Sequence, residues 1–338
     1  MNDLPPLPAG FTGRNASLDD VHMAAQAGIA YALATTGFSD RDAETLRNMW
    51  EEPGFDPAQD IYLVHSPQGG LAAILEVWAN QVPPVHPFIW GIVMPEFQGQ
   101  GIGSHILAWG EQRARAALER VDPGVRVAPV GFAPSVVTAS KALLENNGWS
   151  HIRSFYTMGI ELDGAPAGPE LPEGIELQSY RPEDAPAVYR AVDESFADHF
   201  GHVERPFEIG LERFMHDRIE DPLFDPGLWF IAWQGDQIAG ISLCRSKSWD
   251  DPESGHVWTL GVRRPWRKRG LGLALLRESF REFHRRGYRK VNLGVDAGNI
   301  TGALRLYEKA GMHVIREFAM YEKEIRPGRE LRVQEIEE

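Results

Sequence analysis

Arg267-Lys-Arg-Gly-Leu-Gly272 and Gln98-Gly-Gln-Gly-Ile-Gly103 are one short phrase written twice in the chain. Each stands behind an apolar run of strand composition, His256-Val-Trp-Thr-Leu-Gly-Val262 and Phe88-Ile-Trp-Gly-Ile-Val93, and a proline-bearing turn separates run from phrase. Each opens a helical pattern. After the second, Leu276, Phe280 and Phe283 share one helical face, and Arg285, Arg286 and Gly287 supply a stop. A glycine turn between strand and helix leaves backbone N–H groups open at the positive end of the helix dipole, which makes an anion cradle. Gly270 and Gly272 permit close backbone approach, and Arg267, Lys268 and Arg269 add positive charge that the first loop lacks. A pyrophosphate suits such a loop. One glycine turn before a helix is commonly plain structure, but two at matching places point to a shared task.

The repeat extends outward from the loops. Gly10–Asp20 and Gly174–Asp184 both read as a short strand, a turn and an acidic helix start. Beyond the loops come strands at Val125–Phe132 and Lys290–Val295, short helices ending at Gly148 and Gly311, and a last strand in each half. The stretch Asp163–Glu173, rich in Pro, Gly and acidic residues, lies near the midpoint and reads as a linker. The expected organisation is a mixed α/β (α+β) fold in tandem, each domain a twisted mixed β-sheet flanked by helices. The first domain would span residues 8–163, a linker 164–173, the second domain 174–328, and a charged tail 329–338. The loops sit too late in each half for a dinucleotide fingerprint, and no GK[ST] ends either, which excludes a P-loop ATPase.

Composition narrows the class. The 338 residues are 43% hydrophobic and 24% charged, enough apolar material for two cores, and the formal charge of −14 disfavours nucleic acid and anionic membrane as partners. Cys244 is the sole cysteine, and in Ile-Ser-Leu-Cys-Arg-Ser it reads as a small core residue rather than a catalytic thiol. The N-terminal residues MNDLPPLPAG carry no leader pattern and no apolar run is long enough to span a bilayer, so the expectation is a cytoplasmic protein, monomer or homodimer.

Arg267-x-x-Gly-x-Gly272 and Gln98-x-x-Gly-x-Gly103 resemble the Q/R-x-x-G-x-G/A signature of the GCN5-related N-acetyltransferase (GNAT) superfamily, over nearly the whole chain, twice. Asp296-Ala-Gly-Asn299 with Ala303, Leu306-Tyr307 and Gly311 resembles the family's N-x-x-A-x-x-L-Y-x-x-x-G segment. The resemblance implies acetyl-CoA as co-substrate, without a metal. It places the pyrophosphate on the amides of Lys268, Arg269, Gly270, Leu271, Gly272 and Leu273 in the loop that Arg267 opens as a further cofactor-site residue, the pantetheine and thioester carbonyl on the backbone of Leu260 and Val262, and Asn299 and Tyr307 beside the sulfur. It implies Tyr307 as the acid that protonates the thiolate. His256, where some members carry a glutamate, is the candidate base or an edge-of-strand histidine bonded to solvent. The activity implied is acyl transfer, acetyl by family default, to the primary amine of a small molecule or peptide. A non-catalytic acyl-CoA-binding sensor or interaction protein is the alternative, and the Tyr307 hydroxyl argues against it.

The two halves differ. Leu144 stands at the place of Tyr307 and Pro87 at that of His256, so the loop Gln98, Gly99, Gln100, Gly101, Ile102, Gly103 is at most a second coenzyme A site in a non-catalytic domain. Glu194-Ser-Phe-Ala-Asp-His-Phe-Gly-His202 resembles a D-H-[FW]-G element of tandem GNAT proteins related to mycothiol synthase, which makes Asp198, His199 and His202 acceptor-site candidates or a plain helix end. A metal site there would need more ligands than the spacing offers.

Overall fold

The computed structural model of the chain describes residues 4–37, 42–248, 251–299 and 302–334; the end of the expected tail, 335–338, lies outside them. Two compact units form, Met1–Arg153 with Phe318–Leu331 and Ser154–Glu317 with Arg332–Glu338.

In the first half, strand β1 (Thr12–Asn15) turns into helix α1 (Val21–Thr35), followed by α2 (Ala43–Trp50), α3 (Pro57–Asp60), β2 (Ile61–His65), β3 (Leu71–Trp78), β4 (Phe88–Val93), α4 (Ile102–Ala114), β5 (Val130–Pro134), α5 (Thr138–Asn146) and β6 (Ser150–Glu161). Asp20 fixes the entry to α1 by accepting from the Ser17 N–H at 2.9 Å and from Arg14 at 2.6 and 2.8 Å. Strands β1 to β4 pair antiparallel in chain order, whereas β4 and β5 are parallel and share the rung Phe88–Val130. Alternation along β3 splits the core: Ala73, Leu75 and Val77 meet Ile102, Ile106 and Leu107 of α4, while Ile74 meets Ala24, Leu46 and Trp50 of α1 and α2.

The second half repeats the order: β7 (Glu176–Ser179), α6 (Ala185–Phe196), α7 (Phe207–Phe214) extended by a π-helical turn at Met215–Ile219, β8 (Trp229–Gln234), β9 (Gln237–Arg245), β10 (Ser254–Val262), α8 (Leu271–Arg285), β11 (Lys290–Asp296), α9 (Ala303–Lys309) and β12 (His313–Glu322). Leu271, Leu275, Phe280 and Phe283 of α8 cover one sheet face, and Val188, Tyr189 and Phe214 of α6 and α7 cover the other with Ile231, Ile241 and Leu243. Cys244 is a core residue, its thiol pushed up to about 11 by burial.

Packing divides the chain differently from the repeat. Strand β6 belongs to the first repeat, yet its Phe155–Glu161 stretch pairs antiparallel with β11 of the second. Conversely, Phe318–Glu322 of β12 pairs with Pro134 to Val130 of β5. Met158 is therefore buried in the second core, and Ala319 and Tyr321 in the first. The expected spans 8–163 and 174–328 mark repeats of sequence, while the compact units divide inside β6 and β12. The stretch expected as a tail is built in on both sides. Glu330 pairs with Arg126 at 3.0 Å and His86 at 2.9 Å in the first unit, and Val333 exchanges backbone hydrogen bonds with Gly201 and His202, each 2.9 Å, in the second.

Candidate active site

The two glycine loops fold alike. Gly270 caps α8 at φ 88°, ψ −7°, and Gly101 caps α4 at φ 88°, ψ −8°. Two residues earlier the backbone is again left-handed, at φ 75° in Gly99 and φ 61° in Lys268, the one non-glycine residue with positive φ among the described residues. A left-handed form costs an L side chain about 1 kcal/mol or more, and strain of that kind collects at functional sites. It gathers successive amides around an anion. Gly272 matters for a separate reason: a Cβ there would stand 3.0 Å from Leu306 Cδ1, as one at Gly103 would stand 3.1 Å from Leu143 Cδ2. These contacts align Leu306 with Leu143 and so Tyr307 with Leu144.

The first residue of each phrase acts as a brace. Arg267 Nε donates to the Val262 carbonyl at 3.0 Å, and Gln98 Nε2 donates to the Val93 carbonyl at 3.0 Å. The rest of the Arg267 guanidinium donates to Asp198 Oδ2 at 2.6 Å and to the Ser195 carbonyl at 3.0 Å. Arg264 grips the same carboxylate. The Arg264 hydrogen bond, then that of Arg267, holds Asp198 at about 2 against the opposing effect of burial. The structure thus engages Asp198 with the second glycine loop, and the side-chain charges exposed on that loop are Lys268 and Arg269.

Strands β10 and β11 part beside the loop. They share the rungs Ser254–Lys290, Gly255–Val291 and His256–Asn292, although β10 continues to Val262 and β11 to Asp296. The register of β10 against β9 slips between Val257 and Thr259, which makes Trp258 a bulge; β4 pairs with β3 without a slip. Arg263 N–H donates to Ala239 of β9 at 3.0 Å. Strand alternation then turns the amides of Leu260 and Val262 to the other edge, the one β11 has left. The same reasoning from Met94 N–H, bonded to Ala72 at 2.9 Å, exposes Gly91 and Val93 in the first unit.

On the last shared rung, His256 Nδ1 lies 2.6 Å from Asn292 Oδ1. An amide oxygen only accepts, so Nδ1 carries the proton and the lone pair of the neutral ring is on Nε2. Both residues are buried. Tyr307 projects from α9 into the second core, and burial pushes its phenol up to about 12. Asn299 lies in the turn after β11, its N–H on the Asp296 carbonyl at 3.0 Å. His199 feels both Arg267 and Asp296, and burial first, then Arg267, lowers its basicity. His199 thus senses both the loop and the end of β11, while the His202 backbone is tied to Val333.

Sequence reasoning missed Asn292, the Trp258 bulge and the strain at Lys268. Asn292 has a signal only in hindsight, as a polar residue inside the apolar run Val291–Val295. Among the described residues no three of His, Cys, Asp and Glu gather as a metal site, and no helix is long and apolar enough to cross a membrane.

Residues 189–312 match the Acetyltransferase (GNAT) family. The chain is 32% identical over 225 residues to a mycothiol acetyltransferase of Thermobispora bispora, covering 65% of this chain and 70% of that protein. A crystal structure of a GCN5-related N-acetyltransferase from Sphaerobacter thermophilus superposes with a TM-score of 0.79 at 35% identity, covering 96% of this chain and 99% of that one. A tandem GNAT protein from the clavulanic acid biosynthesis pathway shares the fold, with a TM-score of 0.67 at 14% identity over 94% of this chain and 100% of that one.

Proposed function

Since the chain belongs to the GCN5-related N-acetyltransferase family and is an N-acetyltransferase, we propose that its second unit acetylates the primary amine of a small molecule by direct transfer in a ternary complex. The family uses acetyl-CoA, which supplies the acetyl thioester. The left-handed turns at Lys268 and Gly270 and the bare Cα of Gly272 fit its pyrophosphate, which the amides from Lys268 to Leu273 would hold with the charges of Lys268 and Arg269. Arg267 and Asp198 keep that loop in place.

The opened edge of β10 does the rest. Val262 would pair with the pantetheine arm, and the Leu260 N–H would stabilise the negative charge that develops on the thioester oxygen. His256 takes the proton of the attacking amine at Nε2, its tautomer set by Asn292. Tyr307 delivers a proton to the departing sulfur. The observation that carries this reading is the parting of β10 from β11 immediately beyond the His256–Asn292 rung, where a thioester can enter between two strands. The name of the curated relatives supports a small-molecule acceptor. In the first unit, Leu144 offers no proton where Tyr307 stands in the second, which supports a structural role for that repeat.

The test is thiol release from acetyl-CoA against an amine library, with acetylated product identified by mass spectrometry. Coenzyme A binding that depends on Gly270 and amine-dependent thiol release are the expected results. Binding without release for any amine would favour the sensor reading.

A further inference from the structure

The extra residue of a π-helical turn re-aims a side chain, which is why such turns recur at functional sites. The turn Met215–Ile219 carries Arg218, whose Cζ lies 3.3 Å from the centroid of the Trp258 ring. Trp258 is the bulged residue of β10, between His256 and Leu260. Arg245, the β9 neighbour of His256, reaches the same ring with its Cζ 5.0 Å from the centroid. Two guanidinium groups thus converge on the strand segment that carries the reaction.

They are not equivalent. Asp221 neutralises Arg245 at 2.9 Å. Arg218 has no ion pair among the described residues, and its Nη1 is sealed from solvent without a hydrogen-bond partner. Asp217 and Asp221 act on it only through space. Burial pushes Arg218 down to about 10 and raises Asp217, so the guanidinium is still the charged partner at neutral pH. A guanidinium stacked on an aromatic ring has its flat face covered and its N–H edge left for a planar, two-oxygen acceptor.

We propose that Arg218 binds a carboxylate of the acceptor, so that the substrate is an amine bearing a free carboxylate, such as an amino acid or a short peptide. This rests on the acetyltransferase reading above and narrows it. The same cations disfavour an ammonium group beside them, which helps present the neutral amine that attack requires.

The experiment uses the full chain and matched sets of amines: amino acids and dipeptides as free acids, as C-terminal amides, and as the decarboxylated amines. Wild-type protein should acetylate the acids with kcat/KM ~10–100-fold above their amides, the worth of a charge-assisted hydrogen bond. Arg218→Gln should erase that preference while coenzyme A affinity is retained. Equal rates for acids and amides, or a preference that survives Arg218→Gln, overturns the proposal. If no amine is acetylated, the transfer reading fails and melting temperature decides the site. A shift caused by acids alone and lost in Arg218→Gln supports it, and no shift overturns it. If Arg218→Gln loses coenzyme A binding, Arg218→Lys decides, since it keeps the charge without the fork: most of the preference should go, and an unchanged preference overturns the assignment.

Discussion

Tyr307 is 8% exposed on the short helix α9, and its phenol at about 12 has one cause, the burial that penalises the phenolate. The shift is upward, so the hydroxyl keeps its proton throughout the working range and loses it only as pH rises toward 12. Tyr307→Phe is expected to lower kcat ~10²-fold, the low end for general acid catalysis, with coenzyme A affinity and melting temperature unchanged. An alkaline limb near pH ~8–9 that vanished in Tyr307→Phe would contradict the assignment, because no ordinary titration of this phenol falls there. The partner of His256 gives a second check. Arg245, held by Asp221, stands beside His256 on β9, Arg218 lies over the Trp258 ring, and Lys290 with Asp251 and Glu253 lies two rungs away. Against that fixed background, Asn292→Asp adds a carboxylate to the Nδ1–H and favours imidazolium. The acidic limb of kcat/KM should move up by ~1 pH unit; an unmoved limb would show that His256 is not the base. Tyr307 was legible because its motif lies in one short stretch of sequence. Asn292 was not, since its contact with His256 spans 36 residues and depends on parallel register.

At the level of the elements, strand, glycine loop and helix could be read directly, because apolar periodicity and glycine spacing are local signals. The Trp258 bulge and the π-helical turn could not, for each adds a single residue that periodicity absorbs without trace. The loop itself separates strain from charge. Lys268→Gly should raise stability by up to ~1 kcal/mol through relief of the left-handed backbone, and weaken coenzyme A binding through loss of the charge. Thermal melting and calorimetry read the two effects apart, and a fall in stability would show that the turn is unstrained. Gly270→Val should abolish coenzyme A binding at this loop, whereas Gly101→Val should leave turnover per folded molecule intact. A loss of turnover in Gly101→Val with the second loop still filled would give the first repeat a catalytic part.

Across the whole molecule, the repeat was evident in the sequence but the exchange of final strands was not. Strands β6 and β12 carry an alternation that either sheet could bury, and nothing local says which edge each will join. The exchange predicts that the fragment of residues 1–163 will not fold alone: β5 loses its pairing with Phe318–Glu322, and the first core loses Ala319 and Tyr321. Circular dichroism and protease resistance of that fragment, with and without a supplied peptide of residues 313–334, measure the deficit. A cooperatively melting fragment would refute the dependence. Order of manufacture is also affected. Ribosomes emit chain from the N-terminus at ~5–20 residues per second, and here the first unit to emerge is closed by Phe318–Leu331, a segment made only after the second repeat has been synthesised as far as Glu317. Its sheet must wait, one edge short, while the entire second repeat is synthesised, and chains arrested before Phe318 should be cut by protease within the first unit. For this enzyme a premature stop shortly before Phe318 is expected to cost both repeats, including the one translated first.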